Sequence, residues 1–140
     1  MVAKFNSIYA IQICIADMAE RDSKSSKLLM EIIANSLFTP RQVSIISKRL
    51  QGGGRPPNMT SGAYYRQVKQ CRDKAIAVLY SAILLQSSGA LQPEALSAMA
   101  RLADQLSVIF ASEGSDIFDR ARLEDVMSVM DALVKRVCKL

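Results

Sequence analysis

The chain has 140 residues and a formal charge of +5, from 18 Lys and Arg against 13 Asp and Glu; half of its residues are hydrophobic, and it has neither His nor Trp. That length and composition suit one helical domain over residues 1–140 with a sizeable core, and they argue against a disordered chain. Without His there is no histidine pH switch and no imidazole for acid–base chemistry or metal ligation.

Ile8, Ile11, Ile15 and Met18 recur at three- and four-residue steps and predict a helix from about Lys4 to Glu20. The apolar run Ile8 to Ala16 superficially resembles a signal peptide. It contains Gln12, lacks a small-x-small cleavage site and runs into the charged Asp17 to Arg21, so a soluble, cytoplasmic protein is expected. Leu28, Leu29, Ile32, Ile33 and Ser36 continue the helical period and predict a second helix over Lys24 to Ser36, capped by Asp22 or Ser23.

Phe38-Thr39-Pro40-Arg41-Gln42-Val43 is the sharpest local signal. Thr39 as N-cap, Pro40 at the first helical position and Gln42 at the third make a capping box, with Phe38 and Val43 as the ends of a hydrophobic staple. The third helix therefore starts at Pro40, carries Val43, Ile46 and Leu50 inward, and stops where Gly52 can turn left-handed.

Residues 52–58, Gly-Gly-Gly-Arg-Pro-Pro-Asn, cannot continue a helix and form a basic loop around Arg55. Thr60 or Ser61 caps the next helix, the longest, running to about Gln86. Tyr64, Val68, Cys71, Ala75, Val78, Leu79 and Ala82 share one side, opposite Arg66, Lys69, Gln70 and Asp73. Gln67 and Lys74 fall on one border, Tyr65 and Arg72 on the other. From Ile76 onward the helix is apolar nearly all round, which predicts a buried second half and a wet, basic first half.

Ser87-Ser88-Gly89 ends that helix. Pro93 opens a fifth, to Ala111, with Leu96, Met99, Ala100, Ala103, Leu106 and Phe110 as its stripe. A last helix runs from Asp116 or Asp119 to Cys138 with Leu123, Val126, Met127, Met130, Leu133, Val134 and Val137 inward. No alternating strand pattern competes, so the expected fold is an all-α, compact bundle of five or six helices with one long, partly buried helix. Cys14, Cys71 and Cys138 match no metal knuckle or disulfide framework and read as buried free thiols, although a disulfide between two of them stays open.

The charge is not spread evenly. Between Arg41 and Lys74 stand eight bases (Arg41, Lys48, Arg49, Arg55, Arg66, Lys69, Arg72, Lys74) against one acid, Asp73, while the rest of the chain is close to neutral or acidic. Clustered Lys and Arg can displace the counterions condensed on a nucleic acid, which points to a phosphate-binding surface. Arg66, Lys69, Gln70 and Lys74 are the expected contact face of the long helix. Arg41, Lys48, Arg49 and Arg55 are assigned mainly to phosphates, and Tyr65 is placed for stacking on a base. Arg and Gln match guanine and adenine edges in the major groove, and the helix start at Thr60 to Gly62 offers backbone N–H groups to phosphates.

Phe38-Thr39-Pro40-Arg41-Gln42 resembles the opening of the first helix in helix-turn-helix domains of the LuxR and sigma region 4 type. Thr60-Ser61-Gly62-Ala63-Tyr64-Tyr65-Arg66-Gln67-Val68-Lys69 is similar to the start of their recognition helix, and the likeness spans residues 38–74. It implies a helix-turn-helix-like central pair reading double-stranded DNA in a transcription regulator or nucleoid-type protein, commonly as a homodimer on a symmetric site. RNA remains open.

An enzyme is not expected. There is no Cys/His ligand set and no glycine-rich loop after a strand, and Gly52 to Gly54 lacks the Gly-Lys-Ser/Thr ending of an NTPase phosphate loop. No cofactor or metal and no membrane partner follows from the residues. The rival reading is a helical protein-interaction or assembly subunit of a larger complex, one that can include nucleic acid, using seven Met and the amphipathic C-terminal helix as an adaptable interface.

Overall fold

The computed structural model describes residues 24–111 and 120–140, and over them the chain is all-α. Five helices follow in order: α1 Lys24–Ala34, α2 Pro40–Leu50, α3 Ser61–Ser87, α4 Ala95–Ala111 and α5 Arg120–Val137. Among the described residues the only β-type pairing is one isolated bridge, Leu91 to Cys138. The helix expected over Lys4 to Glu20, and the start of the last helix at Asp116 or Asp119, lie outside the described residues.

The core forms where α1, α4 and α5 meet. Leu28, Leu29 and Ile33 of α1 are buried with Phe110 of α4, and Val43, Leu106, Val126 and Met127 pack around them. Fully burying an aliphatic side chain such as Leu28 contributes about 1.5–3 kcal/mol, so these few positions hold the bundle. α1 ends two residues before the expected Ser36. There the Ser36 hydroxyl donates to the Ile33 carbonyl at 2.8 Å and accepts the Phe38 N–H at 3.1 Å, giving the backbone partners other than a further helical turn.

α2 starts as its sequence dictates. Thr39 Oγ1 accepts the Gln42 N–H at 3.2 Å and Gln42 Oε1 accepts the Thr39 N–H at 3.1 Å, closing the capping box. It ends in a Schellman turn. Gly52 takes φ +74°, Gly53 N–H donates to the Lys48 carbonyl and Gly52 N–H to the Arg49 carbonyl. Leu50, expected inward, is 70% exposed, while Gln42, Ile45 and Ser47 are the buried residues. Leu50 is the last helical residue and sits roughly 140° around the axis from Ile45, off that buried face.

α3 repeats that end chemistry over 27 residues. The Thr60 hydroxyl caps its start by accepting the Ala63 N–H, and Gly89 at φ +77° closes its end, with Ala90 N–H donating to the Leu85 carbonyl. α4 begins at Ala95, two residues after the expected Pro93, which stands in the preceding turn. Leu96, Ala100 and Ala103 of its expected stripe are exposed, as is Val134 of α5. Beyond Val137 the chain is clamped to the link between α3 and α4, where Gln92 N–H donates to the Val137 carbonyl and Lys139 N–H to the Ala90 carbonyl, both at 2.8 Å.

The largest departure concerns the second half of α3. Burial was expected from Ile76 onward, but Leu79, Tyr80, Ile83 and Leu84 are each more than 60% exposed. α2 packs against α3 and occupies its first half, leaving the outer side of the second half uncovered by any described helix. No helix among the described residues is long and apolar enough to cross a membrane. Cys71 and Cys138 are both free thiols, Cys71 buried and Cys138 exposed, the latter against expectation because it lies past the end of α5; Cys14 is outside the described residues.

Candidate nucleic-acid interface

The first half of α3 is amphipathic across its width. Tyr64 and Cys71 are buried on the side toward α2, Tyr65, Arg66, Lys69, Gln70 and Asp73 are exposed away from it, and Arg72 is exposed on the border between. Spacings of three and four residues align Arg66 with Lys69 and Gln70, and Tyr65 with Lys69, so these four side chains form one outward strip. Lys69 Nζ is 2.7 Å from the Asp73 carboxylate, a pair exposed on both sides. Such i,i+4 surface pairs contribute only about 0.3–0.5 kcal/mol, so a phosphate can displace Asp73 readily.

Tyr65 is 60% exposed and meets Tyr64 edge-on, with ring centres 5.4 Å apart at 62°. Tyr64 is the buried member of the pair, as its place on the wheel predicts, and its hydroxyl has no hydrogen-bond partner among the described residues. Tyr65 is thus backed by a fixed ring while its own ring stands at the surface.

Arg41, Lys48 and Arg49 of α2 are exposed, and among the described residues none of them is in an ion pair. α2 and α3 bring two bases together at one place. A groove of about 340 Å³ runs between the helices, lined by Ile45, Ile46 and Leu50 on one wall and Val68, Cys71 and Ala75 on the other, with Arg49 and Arg72 also lining it. Arg72 was not singled out from the sequence because it fell on a border of the helical wheel. Only the packing of α2 shows that this border is where the two basic helices meet.

The loop of residues 51–60 joins α2 to α3 with no helix between them. Arg55 is exposed, but its Nη1 donates to the Met59 carbonyl at 3.1 Å and Met59 N–H donates to the Pro56 carbonyl at 3.2 Å. One nitrogen of the guanidinium thus closes the loop, while the residue stays exposed.

Lys74 does not join the outward strip. It is half-buried, its ammonium donates to the Leu37 carbonyl at 2.7 Å and to Gln42 Oε1 at 2.9 Å, and it lies 5.8 Å from the centre of the Phe38 ring. It ties α3 to the start of α2, so its assignment to the contact face gives way to a structural one. Next to it, burial pushes the Cys71 thiol above its ordinary range, against the opposing pull of the Lys74 charge and of its backbone hydrogen bond. The thiol stays protonated at neutral pH, and its sulfur sits 3.8 Å from the Gln42 carbonyl.

No three His, Cys, Asp or Glu side chains gather into a metal-binding group among the described residues. What the arrangement offers is cationic and planar groups on one helix face beside a second basic helix, a surface that can neutralise phosphates and present Arg, Gln and Tyr to bases. No protein-family model, no curated protein and no solved structure matches the chain.

Proposed function

We propose that this is a DNA-binding protein, a transcription regulator or nucleoid-type component, that contacts duplex DNA through α2, the loop of residues 52–58 and the first half of α3. The observation that carries the reading is the outward strip Tyr65, Arg66, Lys69 and Gln70, flanked by Arg72 and Arg49 at the α2–α3 groove and tempered by the single carboxylate Asp73. Arg66 and Gln70 suit base edges; Lys69, Arg72, Arg49, Lys48, Arg41 and Arg55 suit phosphates. The resemblance of residues 38–74 to helix-turn-helix domains supports the same assignment and gives α3 the part of recognition helix.

Binding of a random duplex at two salt concentrations tests the proposal. Affinity should fall steeply with salt, because each neutralised phosphate releases condensed counterions. Affinity that does not change with salt contradicts it, and tighter binding to single-stranded or structured RNA moves the reading from DNA to RNA. A second reading, an assembly subunit, draws on the exposed apolar residues in the second half of α3 and on the C-terminal helix α5, where Val129 and Val134 are exposed.

A further inference from the structure

The outer side of α3 changes character along its length. The basic strip of the first half continues in register into Ile76, Tyr80, Ile83 and Leu84, with Leu79 on its flank, and from Ala75 to Ser87 the helix carries no charged residue. Leu79, Tyr80, Ile83 and Leu84 are 64%, 71%, 63% and 67% exposed. With Tyr80 alone worth on the order of 150–250 Å² when fully covered, these side chains bring the face to roughly 500 Å², at the upper end of the apolar patches carried by monomers. The roughly 800 Å² that each partner contributes to a standard interface would take in the polar margins of the face as well.

We propose that two copies of the chain pair through this face, their α3 helices crossing antiparallel about Tyr80. A second copy fits because the face is uncharged from end to end, so laying it on itself strands no charge in an apolar contact. The direction follows from electrostatics. Parallel pairing would set the basic strips side by side, whereas antiparallel pairing puts Arg72 of one copy opposite Ser88 of the other. Position 88 is the C-cap of α3, where the helix dipole is negative and a cation is stabilised. The chain also leaves the outer side clear as it exits the helix, because Gln86 Nε2 donates to the Gln92 carbonyl and Ala90 N–H to the Leu85 carbonyl as the link folds back toward Cys138.

One consequence rests on the proposed DNA reading. With a rise of about 1.5 Å per residue, the Arg66 to Lys69 strips of the two copies stand on the order of 35–40 Å apart. That is close to the ~34–36 Å separating half-sites one duplex turn apart.

The pairing is tested on the full chain without nucleic acid, so its failure is separate from any failure to bind DNA. Sedimentation or light scattering should give twice the 15.4 kDa chain mass, and Leu79→Gln with Ile83→Gln should give a monomer with unchanged helical circular dichroism. Direction is read by oxidising a mixture of I76C and L84C chains, each also carrying C14S and C138S. Antiparallel pairing links position 76 of one copy to 84 of the other. Predominant 76–76 and 84–84 links overturn the direction. A monomeric wild-type chain overturns the pairing, whether the face is then covered by the segment before residue 24 or takes up lipid vesicles.

Discussion

The Lys74 ammonium on α3 and the Gln42 side-chain oxygen on α2 lie 2.9 Å apart, and the same oxygen accepts the Thr39 N–H of the capping box. One acceptor thus fastens the start of α2 to the middle of α3 and fixes how the two basic helices sit against each other. Removing Lys74 leaves the Leu37 carbonyl and part of the Gln42 amide without their partner. Hydrogen bonds to a charged group contribute about 1.5–3 kcal/mol, so Lys74→Ala should cost on that order in chemical denaturation. Any fall in DNA affinity should be confined to conditions where the variant is partly unfolded.

Gln42→Ala should be worse placed than an ordinary surface change. It removes the side-chain half of the capping box, a hydrogen bond worth about 0.5–1.5 kcal/mol, and leaves the Lys74 ammonium with the Leu37 carbonyl alone. Since the two effects share one oxygen, Gln42→Ala combined with Lys74→Ala should cost less than the two single losses added together. Additive losses in a double-mutant cycle would show that the oxygen does not couple the two contacts.

The glycines around the α2–α3 link divide sharply. Gly52 needs φ +74°, a left-handed backbone, and a Cβ on Gly53 would meet the Lys48 carbonyl oxygen at 3.0 Å, whereas Gly54 has open space. Gly52→Ala should destabilise by about 1–2 kcal/mol, while Gly54→Ala should be neutral or stabilising by a few tenths through the unfolded chain. Thermal melts of the two variants check the contrast.

Buried Cys71 should resist thiol reagents. In a chain carrying C14S and C138S, labelling of Cys71 should be slow at neutral pH and accelerate on unfolding. Its thiol is raised in the folded state, so the stability it contributes is intact below the ordinary thiol pKa and is lost as pH rises through the folded value. The stability difference between wild type and Cys71→Ala should therefore shrink above about pH 9. Labelling as fast as that of a free thiol would contradict the burial.

Local chemistry was the legible part of the sequence. The Thr39–Gln42 box, the Thr60 cap and the turn at Gly52 depend on neighbours within four residues, and the structure has all three. Burial depends on what another helix happens to cover. Ile76 to Leu85 reads as core because it is apolar all round, yet hydrophobic residues are found outside as well as inside, and α2 packs on the first half. For the same reason Lys74 and Arg72, on opposite borders of the wheel, could be sorted only once α2 was in place, Lys74 inward to Gln42 and Arg72 to the groove shared with Arg49.

The salt dependence of duplex binding, compared between the wild-type chain and Arg66→Ala with Lys69→Ala, bears most directly on the basic strip of α3. Both residues are exposed and Lys69 makes only a surface pair, so the fold should survive, as circular dichroism will show. Loss of two phosphate or base contacts should weaken binding and lower the slope of log affinity against log salt by up to about 2. An unchanged slope and affinity in the folded double variant would contradict the assignment of this face to DNA.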